Sequence, residues 1–151
     1  MERDSRIIDI LRIFQDINVY FRKEIYNIGN SFSFTIPQLK IIALLAETNI
    51  QRVSDLSAGS ALSESTVSGI VDRLVKQKAI IRKRSSKDRR VVNLYLSDKS
   101  RAEYEKFSKM KDDFFIKSFK GIGDSEISII IEGLTILQKN ILARNDENMG
   151  Q

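Results

Sequence analysis

The chain has 151 residues, 42% hydrophobic and 30% charged, which is one domain's worth of globular sequence rather than a disordered polymer. It carries 25 Lys and Arg against 20 Asp and Glu, a net charge of +5, with no Cys, no His, no Trp and a single Pro. Those zeros exclude disulfide frameworks, zinc fingers, thiol sensors, Cys nucleophiles and His-based triads or metal centres, and leave only a carboxylate site for Mg²⁺ or Ca²⁺ open.

Residues 5–29 read as a long helix. Ile7, Leu11, Phe14, Ile17, Phe21, Ile25 and Ile28 recur at spacings of three and four, and Ile10, Ile13 and Tyr20 widen the stripe beyond what one packing face needs. Gly29-Asn30-Ser31 ends it, with Gly29 suited to a left-handed position. Thr35-Ile36-Pro37-Gln38 has the spacing of a capping box with Pro in the first turn, and a second helix runs on through Leu39, Ile42, Leu45 and Ala46. Residues 53–59 form a short third helix closed by Gly59, with a weakly signalled strand near residue 52 before it. Ser63 caps a fourth helix over 64–77. Its apolar positions, Val67, Ile70, Val71, Leu74 and Val75, make one narrow face, and its start is small and polar: Ser65, Thr66, Ser68, Gly69.

Residues 80–84 and 91–96 are β-branched and partly alternating, with a polar, glycine-free stretch between them, which predicts a hairpin with a charged tip longer than a two-residue turn. Ser97 caps a fifth helix lined by Tyr104, Phe107, Met110, Phe114 and Phe119. Gly121-Ile122-Gly123 breaks it. Asp124 then caps a last helix with Ile127, Ile130, Ile131, Leu134, Leu137, Ile141 and Leu142, and residues 145–151 are expected to fray. No run of about 18 apolar residues is present, and the first ten residues carry Glu2, Asp4 and Asp9, so neither a membrane span nor a signal peptide is expected. The expected location is the cytoplasm, with no membrane partner and no cofactor.

The charge is not spread evenly. Residues 1–70 hold 7 basic and 8 acidic side chains, residues 92–151 hold 9 and 10, and residues 71–91 hold 9 and 2. The whole excess, and more, sits in 21 residues, where it is either solvated as an ordinary loop or matched by a polyanion. Three helices followed by a basic hairpin make the outline of a winged helix-turn-helix. A helix about 10–12 Å across enters a DNA major groove about 12 Å wide, and an Arg at a hairpin tip is what a narrow minor groove attracts. The residues placed to contact DNA are Ser63, Ser65, Thr66, Ser68, Arg73, Lys76, Arg84, Lys87, Arg89 and Arg90. Ser63 also reads as a plain cap, Ser65, Thr66 and Ser68 as plain surface, and Arg73 as the partner of a carboxylate. Asp88, an acid among bases, is expected to brace Arg90 or another wing Arg. The carboxylates nearest to a catalytic grouping, Asp112-Asp113 and Glu103/Glu105, read as a solvated helix face, so no enzyme is expected.

The stretch Ser63-Glu64-Ser65-Thr66-Val67-Ser68-Gly69-Ile70-Val71-Asp72-Arg73-Leu74 resembles the recognition helix of the MarR (multiple-antibiotic-resistance regulator) family. Asp88-Arg89-Arg90-Val91-Val92-Asn93-Leu94-Tyr95-Leu96-Ser97 is similar to the wing pattern of that family, with Ser100 where a Gly is frequent. The resemblance extends to the flanking helices and implies a mainly α fold with a small β-wing: a winged helix-turn-helix lobe over 33–96 (recognition helix about 63–77, wing about 80–96), a helical dimerisation region over 1–32 and 97–145, and a flexible tail over 146–151. It further implies a homodimer on a pseudopalindromic double-stranded DNA site, acting as a repressor, with release by a small aromatic or lipophilic effector. Candidate pocket walls are Ile13, Phe14, Ile17, Leu39, Ile42, Phe107 and Phe114, which also read as simple packing. The alternative is a regulator or architectural DNA binder with no effector. Without Cys or His, the thiol and zinc sensing used by some relatives does not carry over.

Overall fold

Six helices and one hairpin lie among the described residues of the computed structural model, 2–48, 52–86 and 91–149, in the order α1 (Glu2–Gly29), α2 (Ile36–Glu47), α3 (Val53–Ser60), α4 (Glu64–Lys76), β1 (Ile80–Arg84), β2 (Val92–Leu96), α5 (Asp98–Ser118) and α6 (Asp124–Met149). By internal contacts the chain divides into two units, residues 1–113 and 114–151.

In the first unit, α4 explains the arrangement. Val67, Ile70, Val71 and Leu74 are its buried positions, and they join Leu39, Ile41, Ile42 and Leu45 of α2, Leu56 of α3, Ile80 of β1 and Leu94 and Leu96 of β2 in one core. Each such side chain contributes about 1.5–3 kcal/mol through burial. The hairpin is antiparallel, with Ile80 opposite Leu96 and Arg84 opposite Val92. Its base is closed by the Ser97 N–H donating to the Ala79 carbonyl at 3.0 Å. Tyr104 and Phe107 of α5 enter the same core, and Phe107 meets Phe32 edge-on at 5.6 Å. The Ser33 N–H donates to Glu103 Oε1 at 2.7 Å, tying the α1–α2 turn to α5.

The capping box of α2 forms in full. Thr35 Oγ1 accepts from the Gln38 N–H at 3.4 Å, and Gln38 Oε1 accepts from the Thr35 N–H at 2.9 Å. Gln38 is itself buried, and its Nε2 donates to Gln77 Oε1 at 3.2 Å, so the start of α2 is tied to the end of α4. Ser97 caps α5 through the Ser100 N–H, and the buried Ser100 hydroxyl pairs with Ser97 Oγ at 2.9 Å.

Several helix ends differ from the sequence expectation. Gly29 does not take the left-handed region; it is the buried last residue of α1, and a Cβ there would run into the Ile36 side chain. Gly59 lies inside α3, and the left-handed residue that ends α3 is Ala61, at φ 55°. After α4 the left-handed residue is Lys78, at φ 59°. The Lys78 N–H donates to the Val75 carbonyl at 2.9 Å and the Ala79 N–H to the Leu74 carbonyl at 2.8 Å, the paired bonds of a Schellman motif, with Ala79 and Leu74 both buried. No strand forms at Arg52, which is the extended N-cap residue of α3; residues 49–51 lie outside the described set.

In the second unit, Gly121 takes φ +99°, a region that side-chain-bearing residues rarely adopt, and so lets the chain turn. Gly123 rather than Asp124 caps α6: its carbonyl accepts from Ile127 at 2.9 Å, and its N–H donates to Glu126 Oε2 at 2.8 Å. Helix α6 continues to Met149, because no Pro or Gly interrupts residues 143–149, where fraying was expected.

Lys78 holds a conformation that glycine adopts at lower cost. Lys78→Gly is expected to stabilise the fold by about 0.5–1 kcal/mol, read as a higher denaturation midpoint at unchanged slope. An unchanged or lower midpoint would show that the left-handed turn carries no strain.

Candidate nucleic-acid interface

Burying one face of α4 leaves the opposite face outward. Ser65, Thr66, Asp72, Arg73 and Lys76 are exposed on it, and Ser68 and Gly69 are half-buried. Ser63 sits at the head of the helix as its N-cap, accepting from the Thr66 N–H at 3.2 Å. Its hydroxyl also pairs with Ser65 Oγ at 3.0 Å and Thr66 Oγ1 at 2.8 Å. Three of the predicted contact residues therefore form one hydroxyl cluster, whose outer hydrogen bonds are exchangeable for a ligand's. The turn before it is fixed by Ser57 Oγ donating to the Leu62 carbonyl at 2.6 Å and by the buried Ser60, whose hydroxyl donates to the Ser57 carbonyl at 3.3 Å.

The far end of α4 is basic. Arg73 and Lys76 occupy its last turn, where cations also complement the helix dipole. Among the described residues Arg73 makes no ion pair. Asp72 pairs instead with Arg82 of β1, with Arg82 Nη2 donating to Asp72 Oδ1 at 2.6 Å. Strand alternation puts Arg82 and Arg84 on the face of β1 that carries the buried Ile80. Arg82 reaches back to α4 from that face, while Arg84 stays exposed one pleat nearer the tip. On the other face Lys83 Nζ stands 5.4 Å from the Tyr95 ring centre. Lys87, Asp88, Arg89 and Arg90 lie outside the described residues.

The Asp72–Arg82 pair was not anticipated. Both side chains are about half exposed, so it adds under about 1 kcal/mol to stability. Its geometric effect is larger, since it fastens the root of the hairpin to the exposed face of α4. The available signal was alternation: counting in twos from the buried Ile80 aims residue 82 at the lobe.

The seven candidate pocket residues are not brought together as one wall. Leu39, Ile42 and Phe107 are buried in the core of the first unit, while Ile13, Phe14 and Ile17 are about half exposed on α1. Phe114 lies in the second unit, half-buried beside Phe115, with ring centres 5.6 Å apart. A cavity of about 420 Å³ in the first unit has other walls: the end of α2 (Ala46, Glu47) and one side of α5, including Arg101, Tyr104 and Asp112. Tyr104 donates its hydroxyl to Glu47 Oε1 there. Burial first, then this hydrogen bond and the charge of Glu47, push the Tyr104 phenol up to about 12. Among the described residues no three Asp or Glu converge as metal ligands, and no helix is long and apolar enough to cross a membrane.

A profile of the MarR family matches residues 34–92, the span from the α2 cap into β2. YfiV of Bacillus subtilis, described as an uncharacterised HTH-type transcriptional regulator, is 32% identical over 110 residues, 70% of this chain and 66% of that one. The structure of a MarR family protein from Bacillus stearothermophilus superposes with a TM-score of 0.83 at 20% identity, covering 92% of this chain and 97% of the other. FabT of Streptococcus pneumoniae, solved in complex with DNA, gives 0.74 at 24% identity over 92% and 97%.

The Tyr104 phenol gives a pH test. Because the folded state holds this proton more tightly than the unfolded state, its contribution is whole below about pH 10 and is lost as pH rises through about 12. In Tyr104→Phe, the phenolate absorbance change near pH 12 is expected to disappear and stability to fall less steeply between pH 10 and 12. Persistence of the late phase would mean that another tyrosine carries it.

Proposed function

The chain belongs to the MarR family, and from that premise we propose that it is a transcription regulator that binds a specific double-stranded DNA sequence as a homodimer. The family consists of transcription regulators, not enzymes. The observation that carries the proposal is the outward face of α4: a hydroxyl cluster at its N-terminal end, Arg73 and Lys76 at its C-terminal end, and a basic hairpin fastened beside it by Asp72–Arg82.

In this reading the start of α4 enters the major groove. Ser65, Thr66 and Ser68 reach base edges, and Ser63 holds the helix end whose free N–H groups favour a phosphate. Arg73, Lys76 and Arg84 take phosphates. Lys87, Arg89 and Arg90 extend along the backbone or into the minor groove, with Asp88 orienting a neighbouring Arg. Positioning and reading are thus divided between the basic and the hydroxylic ends of one helix.

Homodimerisation is supported by the two terminal helices, each taken by itself. Every residue of α1 from Glu2 to Tyr20 is exposed, including Ile7, Ile10, Leu11 and Phe14. None of the side chains described on α6 is fully buried, though Ile130, Leu134, Leu137 and Ile141 form one apolar stripe. Apolar surface on this scale marks an interface, and a second copy is the occupant proposed. Two lobes then meet half-sites about one helical turn apart. Repression follows where such a site overlaps a promoter in the cytoplasm. Release by a small lipophilic effector requires a ligand that prefers the lobe spacing unable to fit DNA. Half-exposed Ile13, Phe14 and Ile17 are the apolar surface available to it.

Phosphate contacts leave a salt signature. Arg73→Ala and Lys76→Ala are each expected to weaken duplex binding for all sequences and to reduce the slope of log affinity against log salt by about 0.9. Anisotropy titrations at several salt concentrations read both quantities. An unchanged slope in both variants would remove the basic end of α4 from the interface.

A further inference from the structure

Gly69 has no purpose inside its own chain. It lies in the middle of α4, where glycine destabilises a helix relative to alanine through its extra backbone freedom. Its backbone is not in the left-handed region, which Gly121 uses. A Cβ built on it meets nothing within 4 Å, whereas one on Gly29 would strike Ile36. Neither conformation nor packing therefore calls for glycine at position 69.

Its place on the helix is informative. At about 100° per residue, Ser65, Thr66, Asp72, Arg73 and Lys76 all fall within about 60° of position 69. The buried positions Val67, Ile70, Val71 and Leu74 lie about 100° or more away. Gly69 is thus the centre line of the exposed face, between the hydroxyl cluster and the two basic residues. It leaves bare backbone where the helix stands closest to whatever that face meets. Gly133 of α6, likewise open around its Cβ position, lies on the helix assigned above to a second copy.

We infer that Gly69 is a specificity-determining residue: its missing side chain is the slot that lets α4 seat at full depth in the major groove, with a base edge against the backbone at position 69. The inference rests on the DNA-binding reading above and adds to it. Ser65, Thr66 and Ser68 are short, so their hydroxyls reach base edges only from a deeply seated helix. A methyl group at 69 holds the helix off by the width of that group and draws those hydroxyls out of hydrogen-bond range, while the long Arg73 and Lys76 still span to phosphates. The slot therefore acts on specific binding and spares non-specific binding.

The test uses the full chain with duplexes selected by the wild-type protein from a random-sequence pool, and random duplexes of the same length. Gly69→Ala is expected to raise the thermal midpoint by about 2–4 °C, to leave affinity for random duplex within about twofold, and to weaken affinity for the selected duplex about tenfold or more. Gly69→Leu is expected to lose more of the selected affinity. If the wild-type protein prefers the selected duplex and Gly69→Ala binds it within about twofold of wild type, the slot is overturned and the DNA-binding reading stands. A fall in the thermal midpoint also overturns it, by showing that glycine serves the fold. If the wild-type protein shows no preference for any selected duplex, both fail together.

Discussion

One constraint organises the lobe: α4 must bury Val67, Ile70, Val71 and Leu74. Loss of one of these to alanine would cost about 2–5 kcal/mol for the larger side chains, a large share of a domain's net stability. A helix so anchored cannot roll, so the burial of one face fixes the direction of the other. The hydroxyl cluster, Gly69, Arg73 and Lys76 are held outward because their neighbours on the helix are held inward. The hairpin inherits the same frame, since Ile80 and Leu94 complete the core and Asp72–Arg82 fastens the root of β1 to α4.

The ends of α4 are where the chain departs from easy backbone geometry. Ala61 just before it and Lys78 just after it both take left-handed conformations without being glycine. Tight connections are needed at both places: three residues separate α3 from α4, and three separate α4 from β1. The cost is offset by local hydrogen bonds, the Ser57 and Ser60 hydroxyls at one end and the Schellman pair with Gln38–Gln77 at the other. The length and aim of the outward helix are thus set by turns that its own hydroxyls and amides hold in place. Function depends on that rigidity, because short side chains such as Ser65 and Thr66 reach a partner only from a helix that does not shift.

Much of this was legible before any coordinates, for identifiable reasons. The core face of α4 follows from apolar spacing alone, the α2 cap from the Thr35–Gln38 interval, and the hairpin from alternation either side of a polar stretch. These signals are local and periodic. What was not legible is either non-local or lacks a distinctive residue. Gly29 and Gly59 drew the left-handed positions because glycine is the usual marker, while Ala61 and Lys78 carry no such mark. Gly123 caps α6 with backbone groups and Glu126, a combination that the neighbouring Asp124 conceals in the sequence. The Asp72–Arg82 pair spans ten residues and two element types, so no periodic rule selects it over a pairing with Asp88. The apolar residues of α1 illustrate the remaining limit: their spacing predicts a buried stripe, but Ile7 to Tyr20 have no partner within the chain and are exposed.

The central claim is that one outward helix face and its hairpin read a DNA sequence and do not merely hold a polyanion. The most direct measurement is the ratio of affinities, at one fixed salt concentration, for a duplex enriched by the full-length protein and for random duplex of equal length. The account predicts a ratio of about 10³ or more, with the enriched duplex carrying two inverted half-sites about one helical turn apart. A ratio near one, with strong salt dependence for both duplexes, would contradict it and leave only non-specific attraction to phosphate.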